Sequence, residues 1–203
     1  MPRTQEQNER MRDKTKQRIF DAAIPLFAEK GFVQTSVHEI AGRAGMSVGL
    51  LYRHFKTKEE VFSALVSDTV KDLKKEGEML ASIPCPKQAF MEFAKHMHSN
   101  IVTDSDDAIS GLRGIVLQQV FMDRELPWIK NMIDKNTQFM DIMATIVKRG
   151  QDVGLFKHGD PHAMVMHFVA QCNGAYLVQR CFAKDYRPPT LEMITAFILK
   201  EEL

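Results

Sequence analysis

Helix-start signals recur three times within residues 36–60, and their close spacing restricts the folds open to this part of the chain. Ser36-Val-His-Glu39 has the form of a capping box, in which the serine hydroxyl accepts a backbone N–H and the glutamate reaches back. Ser47 is suited to cap a second helix, and Thr57-Lys-Glu-Glu60 is a second capping box. Gly45 supplies the positive φ that a tight turn requires. The pattern predicts two short helices joined by a glycine turn, followed by a longer helix.

A further helix is predicted before this pair. Apolar residues recur at helical spacing from about Met11 to Lys30, and Gly31 then supplies a left-handed stop. Pro25 lies inside this stretch, where we expect a kink or the loss of one hydrogen bond. Two short helices with a glycine turn behind a longer helix describe a helix-turn-helix.

The charge of the chain is distributed unevenly. Residues 1–60 contain eleven Lys or Arg and eight Asp or Glu, a balance of +3, whereas the whole chain has a net charge of only +1. A mildly basic first part fits a nucleic-acid contact confined to one end of the protein. A solvated charged surface gives the same arithmetic, so charge alone leaves both interpretations open.

Several protein classes are disfavoured by composition. The cysteines, Cys85, Cys172 and Cys181, are odd in number and lack CxxC spacing, as expected of idle thiols in a reducing compartment. No hydrophobic signal segment follows Met1, and the longest uncharged runs are too short to cross a bilayer. We therefore expect a cytoplasmic protein without a membrane partner.

Residues 18–62 resemble the DNA-binding domain of the TetR family of transcriptional regulators. The matching marks are AA, LF and GF along the first helix, TS, IA and AG around the turn, and the segment S-x-G-x-LY-x-HF-x-x-KEE. Beyond this region the chain resembles the family only in outline. The resemblance implies an all-α protein, with a three-helix helix-turn-helix DNA-binding domain at 11–60 and a larger helical effector-binding and dimerisation domain at 61–203.

The second short helix is the candidate DNA-reading element. Leu51 faces the core, whereas Val48, Gly49, Tyr52 and Arg53 point away from it. Arg53 can donate twice to guanine, Val48 can touch a thymine methyl group, and Gly49 lets the backbone approach the duplex. The resemblance implies phosphate contacts for Ser36, Ser47, Tyr52, His54 and Lys58, and a base contact for His38. Taken singly, each is also explained as an ordinary surface residue; their joint spacing favours the DNA interpretation.

The rest of the chain predicts six helices, at 57–80, 86–102, 106–121, 126–152, 160–182 and 188–202. Met164–Ala170 is apolar nearly all round, which implies burial on several sides. With Leu191, Ile194, Phe197 and Ile198, this segment would form a subunit interface. The resemblance likewise implies a homodimer through the last two helices. Such a dimer should bind a palindromic operator whose half-sites lie about 34–36 Å apart or more.

An effector pocket is implied mainly by the resemblance. The candidates for its lining are Phe90, Phe93, Met97, Leu112, Ile115, Val116, Met132, Phe139, Met140, Met143, His167, Phe168 and Gln171. Met and Phe at helical spacing are more often core than cavity, so the alternative is that most of them form the core. His167 and Gln171 are polar groups in an apolar helix and need partners if buried.

The predicted function is a DNA-binding transcriptional repressor released from its operator by a small, largely apolar effector, with no cofactor and no metal site. One alternative is a regulator without an effector, and another is a metal-responsive sensor. His96 and His98 diverge on a helix, which disfavours a metal site. An enzyme would need a reactive set, and His167 and Cys172 lie about 140° apart around their helix. The predicted protein is therefore not an enzyme.

Overall fold

The computed structural model describes residues 5–102, 116, 125–182 and 185–200, and it confirms the all-α fold predicted from the sequence. The helices of the described residues are α1 (Gln5–Gln34), α2 (Val37–Arg43), α3 (Val48–His54), α4 (Lys58–Thr69), α5 (Leu73–Ser82), α6 (Pro86–Val102), α7 (Pro127–Asp152), α8 (Pro161–Phe182) and α9 (Leu191–Thr195). Extended backbone pairs at an isolated bridge between Phe156 and Leu199.

The chain divides into two compact units. The N-terminal unit comprises Met1–Thr69 and Asp106–Asn131, and the C-terminal unit comprises Val70–Ser105 and Met132–Leu203. None of the helices formed by the described residues is both long and apolar enough to cross a membrane.

Aromatic side chains hold the N-terminal unit together, where α1 packs against α2 and α4. Phe20 stacks on Phe55 with ring centroids 6.1 Å apart, and Phe27 meets Phe62 edge-on at 5.3 Å. Leu51, on the inner face of α3, is completely buried. Burying side chains of this size contributes on the order of 1.5–3 kcal/mol each, so these contacts fix α1–α4 as one body.

The first helix begins at Gln5, earlier than the predicted start near Met11. Gly31 interrupts it with φ 78° and ψ 167°, which confirms the predicted left-handed stop. Of the two outcomes predicted at Pro25, the kink is absent, because the non-helical angles of α1 lie at Gly31, and the loss of one hydrogen bond remains. Proline deprives the carbonyl of Asp21 of its partner, and Asp21 is exposed, so solvent can satisfy it.

The single helix predicted over 57–80 is wrong, because α4 ends at Thr69 and α5 begins at Leu73. The Thr69 hydroxyl donates to the carbonyl of Val66 over 2.7 Å, a local bond that competes with helix continuation. Asp72 precedes α5 without a capping bond from its side chain.

The helix predicted over 188–202 is also wrong, since α9 has only five residues, Leu191–Thr195. After Thr195 the backbone bonds to another segment: Lys157 N–H donates to Ile198 over 2.8 Å, and Lys200 N–H donates to Leu155 over 3.1 Å. The predictions at 86–102, 126–152 and 160–182 agree with α6, α7 and α8 to within one residue. The helix predicted at 106–121 lies outside the described residues, apart from residue 116.

The core of the C-terminal unit lies among α6, α7, α8 and α9. Phe90 on α6 meets Phe156 at 5.8 Å and Phe168 on α8 at 5.2 Å. Gly150 allows an especially close approach, since a Cβ atom placed there would lie 2.2 Å from the Phe156 ring. Phe156 is completely buried, so α7 and the segment after it are fixed by this contact.

Candidate nucleic-acid interface

The turn between α2 and α3 is built by local signals and one long-range contact. Ser36 and Glu39 form the predicted capping box at α2, and the Ser47 hydroxyl accepts from Leu50 N–H over 3.2 Å at the start of α3. Gly45 has the positive φ, 63°, that the turn requires. The Arg18 guanidinium donates to the carbonyls of Ala44 and Gly45 over 2.7 and 3.2 Å. Arg18 on α1 therefore fixes the turn, a role that local sequence pattern did not indicate.

One face of α3 is presented to solvent. Gly49 and Arg53 are exposed, 40% of Tyr52 is exposed, and Val48 is half-buried. The Arg53 guanidinium makes no hydrogen bond or ion pair within the described part of the chain, which leaves its fork of donors available. A Cβ atom added at Gly49 would meet nothing within 4 Å. The four residues predicted to face DNA therefore share an open surface of α3.

Lys58, a predicted phosphate contact, has its ammonium occupied inside the protein. Its Nζ donates to the carbonyls of Phe32, Val33 and Thr35 over 2.8, 2.9 and 3.1 Å. It also lies 4.8 Å from the centroid of the Phe32 ring. These bonds use all three N–H groups of the ammonium and satisfy carbonyls at the end of α1 and at Thr35, the residue after it. In this structure Lys58 fastens the start of α4 to the end of α1.

Ser36 also has its hydroxyl engaged, because it donates to Glu39 Oε2 over 2.8 Å while it accepts from the Glu39 N–H. Lys30 Nζ donates to Glu39 Oε1 over 2.5 Å. The Lys30 bond, followed by those from Ser36, lowers the pKa of Glu39 to about 2. Glu39 is consequently ionised throughout the physiological range. The neighbouring His38, the candidate base contact on α2, is exposed.

His54 lies at the end of α3 beside a polar concavity that the sequence did not predict. The concavity has a volume of about 560 Å³ and is lined by Glu9, Arg12, Asp13, Lys16, His54, Phe55 and Ala64. Partial burial lowers the pKa of His54, and the positive charges of Arg12 and Arg53 lower it further. The helical spacing of residues 9, 12, 13 and 16 is the signal that could have located this surface.

The second capping box differs from its predicted form. Glu60 N–H donates to the Thr57 hydroxyl over 3.2 Å, as expected. The Glu60 carboxylate, however, accepts from Lys56 N–H over 2.6 Å. The Glu60 carboxylate therefore bonds to the N–H of Lys56, the residue after the α3 C-cap Phe55, and not to the N–H of Thr57.

The predicted effector-pocket residues fall largely in the core of the C-terminal unit. Phe93 meets Phe139 at 5.4 Å and Phe168 at 5.5 Å, and Met143 is completely buried. Met97 and Met132 are half-buried, and Met140 is 8% exposed. Leu112 and Ile115 lie outside the described residues, and Val116 is half-buried. The described members of the set are thus largely packed against one another.

The polar residues of α8 have different surroundings. His167 is exposed, and its ring meets Phe197 edge-on at 4.6 Å. Gln171 Oε1 is buried without a hydrogen-bond partner within the described residues. Burial raises the pKa of the Cys172 thiol to about 11, so this thiol stays protonated at neutral pH. Among the described residues, no group of three or more His, Cys, Asp or Glu could hold a metal ion.

Comparison with known proteins gives matches over the N-terminal region and over most of the chain. Residues 19–65 match the family described as bacterial regulatory proteins, tetR family. Over 180 residues the chain is 27% identical to the A-factor receptor protein of Streptomyces griseus, which covers 86% of this chain and 59% of that protein. The chain spans less than two thirds of the length of the curated relatives it matches first.

Solved structures extend the likeness to nearly the whole chain. SmeT, the repressor of the Stenotrophomonas maltophilia multidrug efflux pump SmeDEF, is 26% identical, with a TM-score of 0.64 over 92% of this chain and 91% of that one. A complex of SmeT with triclosan is 25% identical, with a TM-score of 0.71 over 93% of each chain. These likenesses agree with the capped α2–turn–α3 geometry, and they confirm the resemblance of residues 18–62 to the DNA-binding domain of the TetR family of transcriptional regulators.

Proposed function

We propose that the protein is a DNA-binding transcriptional repressor that binds a palindromic operator as a homodimer. The open surface of α3 is the observation that carries this proposal. Arg53 is exposed and makes no hydrogen bond or ion pair in the described chain, and space lies open over Gly49. A guanidinium in this position can donate twice to guanine, and the bare backbone beside it permits close approach to a base edge.

Some of the other predicted DNA contacts are free to bind DNA, and others are already hydrogen-bonded within the protein. Tyr52 and His38 are exposed, and Ser47 lies at the N-terminus of α3, where backbone N–H groups favour a phosphate. Ser36 and Lys58 are held by protein partners. In the proposed complex they position α2 and α4, and they contact phosphate only by exchanging those partners.

Repression is supported by likeness, because SmeT is a repressor. The triclosan complex of SmeT supports a small, largely apolar effector for this chain as well. Gln171 Oε1, buried without a partner in the described residues, supports one hydrogen bond to such an effector. An effector would release DNA only through its differential affinity for a conformation that binds the operator poorly.

A homodimer is supported by the outer face of α8. Met166, Leu177 and Val178 are 47%, 46% and 43% exposed, whereas Phe168 and Cys172 on the same helix are buried. The short α9 supplies less apolar surface to the subunit contact than predicted, because Ile194 and Ile198 are completely buried in the core of their own unit. The proposed contact therefore relies chiefly on α8.

The proposal includes an assignment of the two domains and one of location and activity. Residues 11–60 form the DNA-binding domain and residues 61–203 the effector-binding and dimerisation domain. The protein acts in the cytoplasm and not as an enzyme, in keeping with the protonated thiol of Cys172. The close aromatic packing of Phe90, Phe93 and Phe168 favours one second candidate, a regulator of the same DNA-binding type that has no effector.

The test is selection of bound duplexes from a random DNA pool at a stated salt concentration. The wild type should recover a palindrome. Arg53→Ala should lose base preference at one symmetric pair of positions, a cost of about 1–3 kcal/mol. Arg53→Lys is the matched control, because it keeps the charge but loses the paired donors; it should retain affinity for random DNA while it relaxes the same positions. Equal base preference in all three proteins would overturn the role of Arg53.

A further inference from the structure

The N-terminal unit contains an apolar groove that is separate from the α3 surface and from the proposed effector site. It has a volume of about 470 Å³, within the range of small-molecule sites. Its described lining consists of Phe32, Phe55, Glu59, Glu60, Phe62, Ser63, Ala64, Leu126 and Trp128. The groove therefore combines aromatic walls with carboxylates from α4.

The aromatic walls are fixed by contacts with one another. Phe62, which is 1% exposed, meets Phe32 at 5.2 Å and Trp128 at 5.3 Å, both edge-on. Phe55 lines the same groove and is held from behind by Phe20. Because each ring is held by a neighbour, the groove is preformed, and an occupant would not have to order its walls.

The charged side chains among the described lining residues are both acidic. Glu59 is exposed and makes no hydrogen bond or ion pair within the described residues, so its carboxylate is available. The Glu60 carboxylate accepts a hydrogen bond from Lys56 N–H. No lysine or arginine is among the described lining residues. The Lys58 ammonium lies 4.8 Å from the Phe32 ring centroid, so this ring is already paired with a cation, and the remaining aromatic walls are Phe55, Phe62 and Trp128.

From this combination we propose that the groove binds a small organic cation with an apolar body, such as a quaternary ammonium compound. Aromatic faces attract cations electrostatically, most strongly those of tryptophan, and do so best when water is partly excluded. Glu59 supplies the opposite charge at the rim. A neutral apolar molecule would leave that carboxylate unpaired, and an anion would be repelled by it, so both classes fit the groove less well.

Phe55 links this site to the α3 surface. It caps the C-terminus of α3 through its N–H, which donates to Leu51, and its ring lines the groove. A bound cation would therefore contact the residue at which the DNA-reading helix ends.

Trp128 provides a direct test, because it is the only tryptophan of the chain and lines the groove. Benzyltrimethylammonium is the probe, and 2-methyl-1-phenyl-2-propanol, of nearly the same shape, is the uncharged control. The cation should change tryptophan fluorescence saturably and bind about tenfold more tightly than the alcohol. No saturable change, or equal affinity for the two compounds, would overturn the proposal.

Two matched variants test the role of the rim carboxylate. Glu59→Gln should weaken binding of the cation about two- to fivefold, as expected for one exposed charge pair. Glu6→Gln removes a carboxylate from α1 that does not line the groove, and it should leave the affinity unchanged. Equal affinities of Glu59→Gln and wild type would contradict the assignment. No DNA is present in these titrations, so their outcome is independent of the proposed operator binding.

Discussion

The Lys58 ammonium donates to the carbonyl of Phe32 over 2.8 Å and lies 4.8 Å from the centroid of the same residue's ring. The hydrogen bond and the cation–π contact both join the start of α4 to Phe32, the residue that follows Gly31, where α1 is interrupted. Since two further carbonyls accept from the same Nζ, Lys58 closes the corner between α1 and α2. A lysine that resembles a phosphate contact by its sequence position thus has a structural task in the free protein.

Lys58→Met should therefore destabilise the protein in the absence of DNA. The substitution keeps the apolar stem beside Phe32 but removes three hydrogen bonds from a charged donor. We expect a loss of about 1.5–3 kcal/mol in the free energy of unfolding, measured by urea denaturation. Lys56→Met is the control, because the Lys56 ammonium donates to one exposed carbonyl, that of Tyr52, and its loss should cost about 0.5 kcal/mol or less. A Lys58 variant as stable as this control would contradict the structural role.

Gly150→Ala should destabilise the C-terminal unit. The added Cβ atom would lie 2.2 Å from Cδ2 of Phe156, whose ring is completely buried, so either the ring or the helix must shift. Overpacking of this kind costs about 1–3 kcal/mol, which thermal unfolding would register as a lower midpoint. Gly42→Ala is the control: a Cβ atom there meets nothing within 4 Å, and a helical glycine replaced by alanine should be neutral or mildly stabilising.

A second substitution tests whether the clash itself is the cause. Phe156→Leu shortens the opposing side chain and should be destabilising alone, by loss of buried ring contacts. In the double variant with Gly150→Ala, part of the cost should be recovered, because the two changes act on one contact. Strictly additive costs would assign the effect of Gly150→Ala to something other than Phe156.

DNA affinity should increase as pH falls from 8 to 6, through His54. In the free protein the pKa of this imidazole is lowered by partial burial and by Arg12 and Arg53. A phosphate beside it would raise that pKa, so the complex takes up a proton that the free protein does not hold. Linkage then makes binding tighter at the lower pH, by up to about tenfold for each unit by which the pKa rises. Binding titrations across this pH range would measure the slope.

Two variants and one stability measurement complete this test. His54→Gln should flatten the pH dependence, whereas His38→Gln should retain it; the reverse result would move the phosphate contact to His38. The same lowered pKa weakens the fold in acid, because stability from the neutral imidazole is present above its unfolded pKa and lost as pH falls below it. Unfolding must therefore be monitored at each pH, so that loss of folded protein is not taken for loss of affinity.

The predictable parts of the fold depended on short-range signals. The caps at Ser36 and Ser47 and the positive φ of Gly45 were all evident in the sequence, because each acts within three or four residues. The clamp made by Lys58 was not, since its acceptors lie 23 to 26 residues earlier in the chain. The bond from Arg18 to Ala44, over the same kind of separation, was missed for the same reason.

Helix boundaries failed where tertiary bonds replaced helical ones. Apolar residues recur at helical spacing over 188–202. The backbone of Ile198 and Lys200 nevertheless hydrogen-bonds to Lys157 and Leu155 instead of continuing a helix. Periodicity also could not divide the apolar residues of α8 between core and surface. Phe168 is completely buried and Met166 is 47% exposed, although the two are adjacent in an apolar run. The packing of α8 against α6 and α9 determines which side faces inward.

The outer face of α8 leads to the last prediction, Leu177→Glu. Met166 and Leu177 are about three helical turns apart and so share a face, and both are close to half exposed. If two copies meet through this face, a carboxylate there must be desolvated without a partner, at a cost of several kcal/mol. We expect the wild type to sediment as a dimer of 23.2 kDa chains and the variant as a monomer at micromolar concentration.

Met79→Glu is the matched control, because Met79 on α5 is 70% exposed and lies on another helix. It should leave the dimer intact. The monomeric Leu177→Glu protein should also lose affinity for a full palindrome far more than for a single half-site, since both half-sites are bound together only when the two DNA-binding domains are joined. A dimeric Leu177→Glu protein with unchanged operator affinity would place the subunit contact elsewhere. The exposed apolar face of α8 would then need a different explanation, because a charged side chain at residue 177 would not have weakened the dimer.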